Sequence, residues 1–486
     1  MDFTEFSNKA KDGFNLIPLI KELDSIKKEA IDIYGDHFDQ KKSFFFESLE
    51  GDKNWSRYTI IGCSSGDYLE VFGNKIKKYS NFLEESEYHD DNPINWIENF
   101  FSSYKVFIPK TLPSFCGGLV GHFSFESVCY FEESVIRRDQ KNDINAPDIS
   151  LIICKEFIVF DKVNNKIFIV VFSNNTSEGY KESTKKLNEY ESLLNKSSDK
   201  TKDVNVSYEM NLKYDFERKD FLSSVNKIKE YINQGDVMQV VLSQRMTIDF
   251  HERPIEFYKE LRKINPSPYM YYLNMGDYVV VGSSPEILVR LEDENITVRP
   301  IAGTRPRSDD NKKDNDYEID LLNDKKELAE HLMLIDLGRN DIGRICKTGS
   351  INLTDQMIIE KYSHVMHMVS NVEGQIKPNL SMFDVLRATF PAGTVSGAPK
   401  IRALQIIFEL ENISRGIYAG AIGYLGWNGN MDTAIAIRTC VIKSEKLHIQ
   451  CGAGIVYDSV PELEWDETIN KGKAIIKALE KLRERI

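Results

Sequence analysis

Residues 269–301 read YMYYLNMGDYVVVGSSPEILVRLEDENITVRPI. Four runs rich in β-branched and aromatic residues occur in this segment, at 269–273, 278–282, 286–291 and 296–301. Gly-Asp and Asp-Glu-Asn turn signals lie between them, and consecutive strands joined by short turns are typical of antiparallel sheet. The segment therefore predicts an antiparallel β-sheet.

A second strand-rich region lies near the C-terminus. It predicts strands at 419–427, 433–442 and 447–455, with Asn428-Gly429-Asn430 as one turn. Helices are predicted between and around the two strand-rich regions, at 220–233, 325–338, 381–388, 398–411 and 462–483. We therefore expect an α+β fold with large antiparallel, sandwich-like sheets and helices packed outside.

The chain divides into two blocks. Two apolar runs around an Asn164-Asn165 turn predict a hairpin at the end of the first block. A polar helix at 177–196 and an exposed Ser/Asp/Lys/Asn-rich linker at 197–206 follow. We expect an N-terminal domain of residues 1–206 and a second domain of residues 207–486.

The composition is that of an ordinary globular protein. Of the 486 residues 41% are hydrophobic and 28% charged, and the formal net charge is −13. An acidic chain argues against a nucleic acid or an anionic membrane as main partner, because both bind basic surfaces. The N-terminus lacks the pattern of a secretory signal, and the seven scattered cysteines form no C-x-x-C pair. We expect a cytoplasmic protein with reduced thiols.

Two pairs of glutamates recur at i, i+3 spacing. Glu327 and Glu330 share one face of a predicted helix, and Glu464 and Glu467 share a face of another. Four carboxylates from two helices suit a hard cation such as Mg²⁺, whereas zinc would call for a second histidine beside His331. Each pair alone also fits a solvated acidic helix face.

Three glycine-rich segments are candidate anion-binding loops. They are Gly303-Thr304, the FPAGTVSGAPK loop at 390–400 that opens a helix, and Gly452-Ala453-Gly454. Backbone N–H groups approach an anion closely in such loops, and a helix N-terminus adds a favourable dipole. By spacing alone they are equally compatible with tight turns. Candidate carboxylate-binding cations nearby are Arg305, Arg339 and Arg438.

His364 and His367 lie three residues apart in an apolar run. On a strand they would face opposite sides, so they do not form a metal pair. One of them would be buried, either as a core histidine or as a proton-transfer group near neutral pH.

A series of motifs together resembles one enzyme family. They are Gly282-Ser283-Ser284-Pro285-Glu286, Arg299 to Arg305, Glu330-His331-Leu332-Met333-Leu334, His364-Val365-Met366-His367, Phe390 to Lys400, Asp432 to Arg438, and Gly452-Ala453-Gly454. This series, nearly continuous from residue 214 onward, closely resembles the chorismate-utilising enzymes and, within them, the anthranilate synthase component I family. The resemblance implies that residues 207–486 are a chorismate-binding catalytic domain.

The resemblance also implies a ligand set. Glu330 and Glu467 would hold Mg²⁺, with Glu327 and Glu464 close to it, and the metal would clamp the ring carboxylate of chorismate. The positions matching the substrate-binding residues of the family are Gly303, Thr304, Tyr418, Arg438, Gly452, Ala453 and Gly454.

Roles in the reaction follow from the same resemblance. Glu286 would protonate the departing 4-hydroxyl, and His367 with Thr394 would remove the ring proton. Gln239 stands where water-adding relatives carry a Lys, and Ala302 stands where aminodeoxychorismate synthases carry a nucleophilic Lys. These two positions favour an anthranilate synthase. An aminodeoxychorismate synthase remains an alternative.

The first block matches the tryptophan feedback site of the family. The matching positions are Glu47, Ser48, Pro268, Tyr269 and Met270, where a carboxylate and a hydroxyl would meet the ammonium group of the ligand. No cysteine lies in a glutaminase-type nucleophile motif, so a separate amidotransferase subunit is expected as the source of ammonia. A non-catalytic paralogue that only binds tryptophan is a further alternative, which the intact catalytic residues disfavour.

Overall fold

The computed structural model describes residues 1–24, 26–50, 57–137, 140–196, 210–308, 310–362 and 365–485. Their architecture is α+β and rests on two 12-stranded sheets. Neighbouring strands in the sheets run antiparallel, as predicted.

The first sheet runs from an N-terminal edge strand to the C-terminal strands of the chain. Its spatial order is β1 (Leu16–Asp24), β10 (Lys166–Asn174), β9 (Glu156–Asp161), β3 (Tyr58–Gly62), β2 (Ser43–Glu47), β13 (Tyr269–Asn274), β14 (Val279–Ser284), β23 (Thr439–Lys443), β24 (Lys446–Ile455), β12 (Gln239–Asp249) and β11 (Leu212–Tyr214), with β20 (Gly397–Ala398) paired to β12.

The second sheet is built in the same way from both halves of the chain. Its spatial order is β17 (Ile301–Pro306), β19 (Val365–Gln375), β16 (Asn295–Val298), β15 (Ile287–Glu292), β22 (Met431–Ile435), β21 (Ala421–Gly426), β7 (Gly118–Phe123), β8 (Ile149–Cys154), β4 (Tyr68–Phe72), β5 (Lys75–Ser80) and β6 (Leu83–His89), with β18 (Asn352–Lys361) paired to β19.

Of the α-helices in the described residues, six agree closely with predicted ones, whereas Phe3–Lys11, Ala30–Ile33, Pro93–Ser102, Pro254–Ile264 and Asn311–Asn323 were not predicted. In chain order the helices are α1 (Phe3–Lys11), α2 (Ala30–Ile33), α3 (Pro93–Ser102), α4 (Ser177–Asn195), α5 (Arg218–Asn233), α6 (Pro254–Ile264), α7 (Asn311–Asn323), α8 (Lys325–Gly343), α9 (Met382–Thr389), α10 (Lys400–Leu410) and α11 (Pro461–Arg485). Gly235, at φ 85°, follows the end of α5 as predicted. The predicted linker at 197–206 lies outside the described residues.

Side chains of a central strand alternate between two hydrophobic cores. In β2, Phe44 packs into the core that involves both sheets. Its neighbour Phe45 packs into a second core, together with residues of α4, α6 and α11 on the outer face of the first sheet. This alternation follows from the two-residue period of a strand.

Both sheets continue across the predicted boundary between residues 206 and 207. In the first sheet, β2 pairs with β13, and in the second, β7 pairs with β21. Gly121 and Gly423 are partners at the second junction, and a Cβ on Gly121 would lie 1.9 Å from the carbonyl oxygen of Ser150. The two-domain division remains a prediction, because the boundary lies outside the described residues.

Three stretches of chain pass from one sheet to the other. The chain crosses at Lys155 between β8 and β9, at Pro285-Glu286 between β14 and β15, and at 436–438 between β22 and β23. The predicted strand 433–442 is therefore two strands in different sheets. The predicted strand 296–301 is interrupted at Pro300, which has no N–H for a ladder hydrogen bond.

Two general predictions can be compared with the structure. All seven cysteines are free thiols, as their spacing predicted. Within the described part of the chain, no helix combines the length and apolar character needed to cross a membrane.

Candidate active site

Two of the crossings bring Glu286 and Arg438 to the same place. The N–H of Ser283 donates to the carbonyl of Arg438 at 3.1 Å, and the N–H of Ile435 donates to the carbonyl of Glu286 at 3.0 Å. Arg438 has a φ of 50°, which a non-glycine residue rarely adopts. The backbone therefore holds both side chains where the two sheets part.

The Glu286 carboxyl is buried, with 7% of the residue exposed. Burial raises its pKa to about 8, although Thr394, Arg438 and Lys471 each oppose that rise. The hydroxyl of Thr394 is itself buried and has no partner at normal hydrogen-bond length among the described residues. Glu286 is therefore mainly protonated at neutral pH and able to donate a proton.

The Arg438 guanidinium stands among the predicted site residues. Within the described residues its side chain takes part in no ion pair or hydrogen bond. Its positive charge lowers the pKa of Glu286, of His367 and of Tyr418, so it lies close to all three. A half-buried cation without a counter-ion is suited to an anionic ligand.

The other two arginine candidates are already neutralised. Arg305 donates to Asp320 at 2.6 Å and to Asp324 at 2.7 Å, and Arg339 lies 3.8 Å from Asp336. Of the three arginines that the sequence suggested, Arg438 alone fits carboxylate recognition.

His367 lies on β19, opposite Thr304 of β17. Its Nδ1 lies 3.0 Å from both the Thr304 hydroxyl and the Gly303 carbonyl. Burial lowers its pKa, so the ring is neutral at neutral pH. A carbonyl only accepts hydrogen bonds, so we assign the proton to Nδ1, which leaves Nε2 free to accept one.

The hydroxyl partner of His367 in the described structure is Thr304, and the predicted assembly of His367 with Thr394 for removal of the ring proton stays a prediction. The β17–β19 register places Thr304 directly across from the histidine, whereas Thr394 lies near Glu286. His364 lies outside the described residues.

The Gly303 position is tightly enclosed. Its φ is 67°, and a Cβ there would lie 2.7 Å from Leu321 and 3.2 Å from the Glu327 carboxylate. Glycine is required by both the backbone conformation and the space. The loop therefore brings Glu327 of α8 close to the predicted substrate-binding segment.

The Gly452-Ala453-Gly454 segment lies along a partly unpaired strand edge. The pairing of β24 with β23 ends at Ile449, whereas its pairing with β12 continues to Ile455. One edge of the last residues of β24 is thus without a strand partner in the described structure. Backbone groups on such an edge are available to a ligand.

Both glycines of this segment allow close contacts. A Cβ on Gly452 would lie 2.7 Å from the Tyr418 hydroxyl, and one on Gly454 would lie 2.3 Å from the Gln239 amide nitrogen. Tyr418, Gln239 and the glycine segment thus occupy one region, as predicted for the substrate site.

The two acidic pairs lie on α8 and α11. Burial raises the pKa of Glu327, and the charge of Glu330 raises it further. Burial likewise raises the pKa of Glu464, to which the charge of Glu467 adds. Each predicted pair is therefore crowded, and a divalent cation would relieve that repulsion.

Further contacts link the acidic pairs to the substrate region. The Gln239 amide donates to Glu330 at 3.4 Å. Lys471 lies 2.6 Å from Glu467 and donates to the Gly452 carbonyl at 2.9 Å. No three acidic, histidine or cysteine side chains of the described residues are close enough to hold a metal. Mg²⁺ is commonly bound by one or two carboxylates and a substrate, so the residues fit it, and the four-carboxylate site remains a prediction.

A separate cavity lies between the two sheets and has a volume of about 150 Å³. All five residues predicted for the tryptophan site line it. They are Glu47, Ser48, Pro268, Tyr269 and Met270. Phe115 and Tyr424 supply aromatic walls, with ring centroids 5.0 Å apart.

The Glu47 carboxylate has two partners on α6, and its predicted role toward a ligand ammonium stays a prediction. It accepts hydrogen bonds at 2.8 Å from Tyr258 and from Arg262 of α6. Glu47 follows the parity of Phe45, so its side chain faces the outer core.

An Arg290–Asp432 pair in this cavity was not predicted. Arg290 of β15 donates to Asp432 of β22 at 3.0 Å, and Tyr269 donates to the same carboxylate at 2.8 Å. The two charged residues are direct cross-strand partners. Opposite charges in two predicted strands were the available signal, but it becomes specific only once the register is known.

Comparison with known proteins extends these findings. The family model described as chorismate binding enzyme matches residues 49–477. The anthranilate synthase component 1 of Pseudomonas aeruginosa is 46% identical over 99% of this chain and 98% of its own length. That of Aquifex aeolicus is 44% identical over 97% of this chain and 96% of its own.

Solved structures agree with the sequence comparison. Anthranilate synthase component I from Streptococcus pneumoniae superposes with a TM-score of 0.78 at 35% identity, covering 93% of this chain and 98% of that one. The menaquinone-specific isochorismate synthase from Escherichia coli has a TM-score of 0.71 at 16% identity, covering 98% of this chain and 99% of that one, which supports the fold alone. The chain therefore belongs to the chorismate-binding enzymes and, within them, to the anthranilate synthase component 1 family.

Proposed function

We propose that this chain is the large subunit of an anthranilate synthase, converting chorismate and ammonia to anthranilate and pyruvate as the first step of tryptophan biosynthesis. The observation that carries the proposal is Arg438, which has no ion-pair partner in the described part of the chain, near a protonated Glu286 and a neutral His367. A cation suited to an anionic ligand then acts electrostatically on both an acid and a base.

Substrate binding follows from the charges in the cleft. Chorismate is a dianion, and the protein carries a net charge of −13, so binding needs local cations and N–H donors. Arg438 supplies the cation, and the unpaired edge of β24 at residues 452–454 supplies backbone donors. Tyr418 packs against the glycine segment and closes the site on one side.

Proton transfer is divided between two side chains. Glu286 donates its proton to the departing 4-hydroxyl as ammonia adds to the ring. His367 takes the ring proton on Nε2 while its Nδ1–H remains bonded to the Gly303 carbonyl. Their pKa shifts have the directions that these roles require, since burial favours the neutral form of both groups.

The acidic pairs are proposed to bind Mg²⁺, with Glu330 and Glu467 as ligands and Glu327 and Glu464 nearby. Bound Mg²⁺ would neutralise the ring carboxylate of chorismate and fix its orientation. The crowding of both pairs supports this assignment.

Two neutral residues support ammonia as the nucleophile. Gln239 is buried, and its amide nitrogen is directed at Glu330. An amide does not deprotonate water, but ammonia needs no such activation. Ala302 offers no amine that would attack the ring.

Ammonia is proposed to come from a separate amidotransferase subunit. The relatives of this chain are named component 1, which suggests a second component. None of the seven thiols of this chain has a lowered pKa. Burial raises the pKa of Cys346 and Cys451 to about 11, and that of Cys116 and Cys129 to about 12. A glutaminase nucleophile needs a thiolate.

The first test is product identification. The purified chain, incubated with chorismate, Mg²⁺ and ammonium, is expected to release anthranilate and pyruvate in equal amounts, and removal of Mg²⁺ by a chelator should stop turnover. Chromatography of the products decides the matter. Accumulation of 4-amino-4-deoxychorismate or isochorismate would show that the chain is a different chorismate enzyme.

The second test concerns Glu286. At constant free ammonia, kcat/KM for chorismate is expected to fall as pH rises through about 8, because the carboxyl loses the proton it must donate. The Glu286→Gln variant keeps the shape but has no acidic proton, so kcat should fall by about 10²–10⁴. The exposed Glu480→Gln on α11 is the control. Near-normal turnover by the Glu286 variant would remove this residue from the mechanism.

We further propose that the cavity between the sheets binds tryptophan as a feedback inhibitor. Its aromatic walls suit an indole, and Ser48 lies at its edge with its hydroxyl bonded to the Glu50 carbonyl at 3.2 Å.

The third test is the Ser48→Arg variant. The long side chain would enter the cavity, so the tryptophan concentration for half-inhibition should rise at least tenfold, about the loss expected for one blocked pocket contact. Turnover without tryptophan should stay close to that of the unmodified enzyme. The exposed Ser102→Arg serves as control, and unchanged inhibition of the Ser48 variant would place the inhibitor elsewhere.

A further inference from the structure

Arg415 is a buried cation outside the proposed set of ligand-binding residues. Its side chain is 1% exposed, and it lies between α10 and β21. Its Nε and Nη2 donate to the two oxygens of Glu411 at 2.8 and 2.7 Å. This bidentate pair satisfies the charge that burial would otherwise leave uncompensated.

The remaining donors of Arg415 reach two separate segments. Nη1 donates to the Val395 carbonyl and Nη2 to the Val241 carbonyl, each at 2.7 Å. Val395 directly follows Thr394, and Val241 is the strand partner of Gly454. One guanidinium thus holds the backbone on both sides of the proposed site.

Two aromatic rings flank the same guanidinium. Its central carbon lies 4.3 Å from the ring centre of Phe125 and 5.6 Å from that of Tyr418. Tyr418 is a proposed substrate-site residue, so Arg415 also contacts a third wall of the site.

Glu411 extends the contacts to the glycine segment. Its Oε1 accepts hydrogen bonds from the N–H and the hydroxyl of Ser243, both at 2.8 Å. Ser243 is the strand partner of Gly452, and its hydroxyl also accepts from Gln450 at 2.9 Å.

We propose that Arg415, held by Glu411, is a positioning residue for the chorismate site. It sets the spacing between the Thr394 loop, the Gly452–Gly454 edge and Tyr418 without touching the substrate. A lysine has a single charged nitrogen and does not reproduce the planar fork that meets four acceptor atoms at once. This inference rests on the proposed function and concerns the same site.

The test is the Arg415→Lys variant of the full chain. Displacement of site backbone by a fraction of an ångström should raise the KM for chorismate about tenfold and lower kcat/KM about 10–100-fold. The KM for ammonium at saturating chorismate should stay within about twofold, because only the substrate-binding walls move. Thermal unfolding is measured in parallel.

Arg402→Lys is the matched control. Arg402 of α10 also pairs with a carboxylate, that of Asp236, and lies 5.0 Å from the ring of Tyr231. Its contacts reach no proposed site segment, so both KM values should be unchanged.

Two results would overturn the inference. One is an Arg415→Lys variant with lower thermal stability but unchanged KM for chorismate, which a merely structural role predicts. If that variant does not fold, Glu411→Gln takes its place, since it keeps the shape and removes the charge, and the KM for chorismate should rise about threefold or more. The second overturning result is an unchanged KM for chorismate in Glu411→Gln. Failure of the proposed function is distinguishable, because the unmodified chain would then not turn chorismate over.

Discussion

The arrangement of the site depends on Arg438, a cation without a counter-ion among the described residues. Arg438 lies where the chain leaves the second sheet for the first, in a backbone conformation that few side chains adopt. Leaving a half-buried guanidinium unpaired is unfavourable in the free protein. A carboxylate ligand that pairs with Arg438 relieves this unfavourable state, which adds to the binding free energy. Burial holds the neighbouring Glu286 carboxyl neutral, so that it does not pair with the cation itself, and lowers the pKa of His367, so that the imidazole adds no second positive charge.

The same strands connect this site to the cavity between the sheets. Arg290 and Asp432, which pair in the cavity, lie on β15 and β22. Glu286 immediately precedes β15, and Arg438 follows β22 by three residues. The acid and the cation of the proposed mechanism are thus attached to the two strands that form one wall of the cavity. A ligand in the cavity and a substrate beside Glu286 and Arg438 would therefore both contact residues on or next to the strand pair β15–β22.

Much of this was predictable from local pattern. The hairpin around Asn164-Asn165, the strands at 269–301 and 419–455 and six of the α-helices followed from runs of β-branched residues and from turn and capping signals, whereas the strands between residues 16 and 123 were not predicted. The i, i+3 spacing placed Glu327 beside Glu330 correctly. The sheet to which a strand belongs did not follow from such patterns. The run 433–442 has the pattern of one strand but crosses between sheets, because the sheet that each part joins depends on pairing with segments distant in sequence. The partner of His367 depends on the same long-range register, which selects Thr304. Glu47 lies two residues after Phe45 on β2, so the two side chains point to the same face of the first sheet. That this is the outer face follows only from the packing of Phe45 in the structure.

Equilibrium binding of chorismate to Arg438→Met, in Mg²⁺ and without ammonia, tests the central role of the unpaired cation most directly. The methionine side chain preserves apolar packing but removes the charge-assisted hydrogen bonds, which are worth about 1.5–3 kcal/mol. The account predicts an affinity about 10–150-fold weaker than that of the unmodified chain, with an unfolding temperature that is not lowered. An affinity within about threefold of the unmodified value would contradict it.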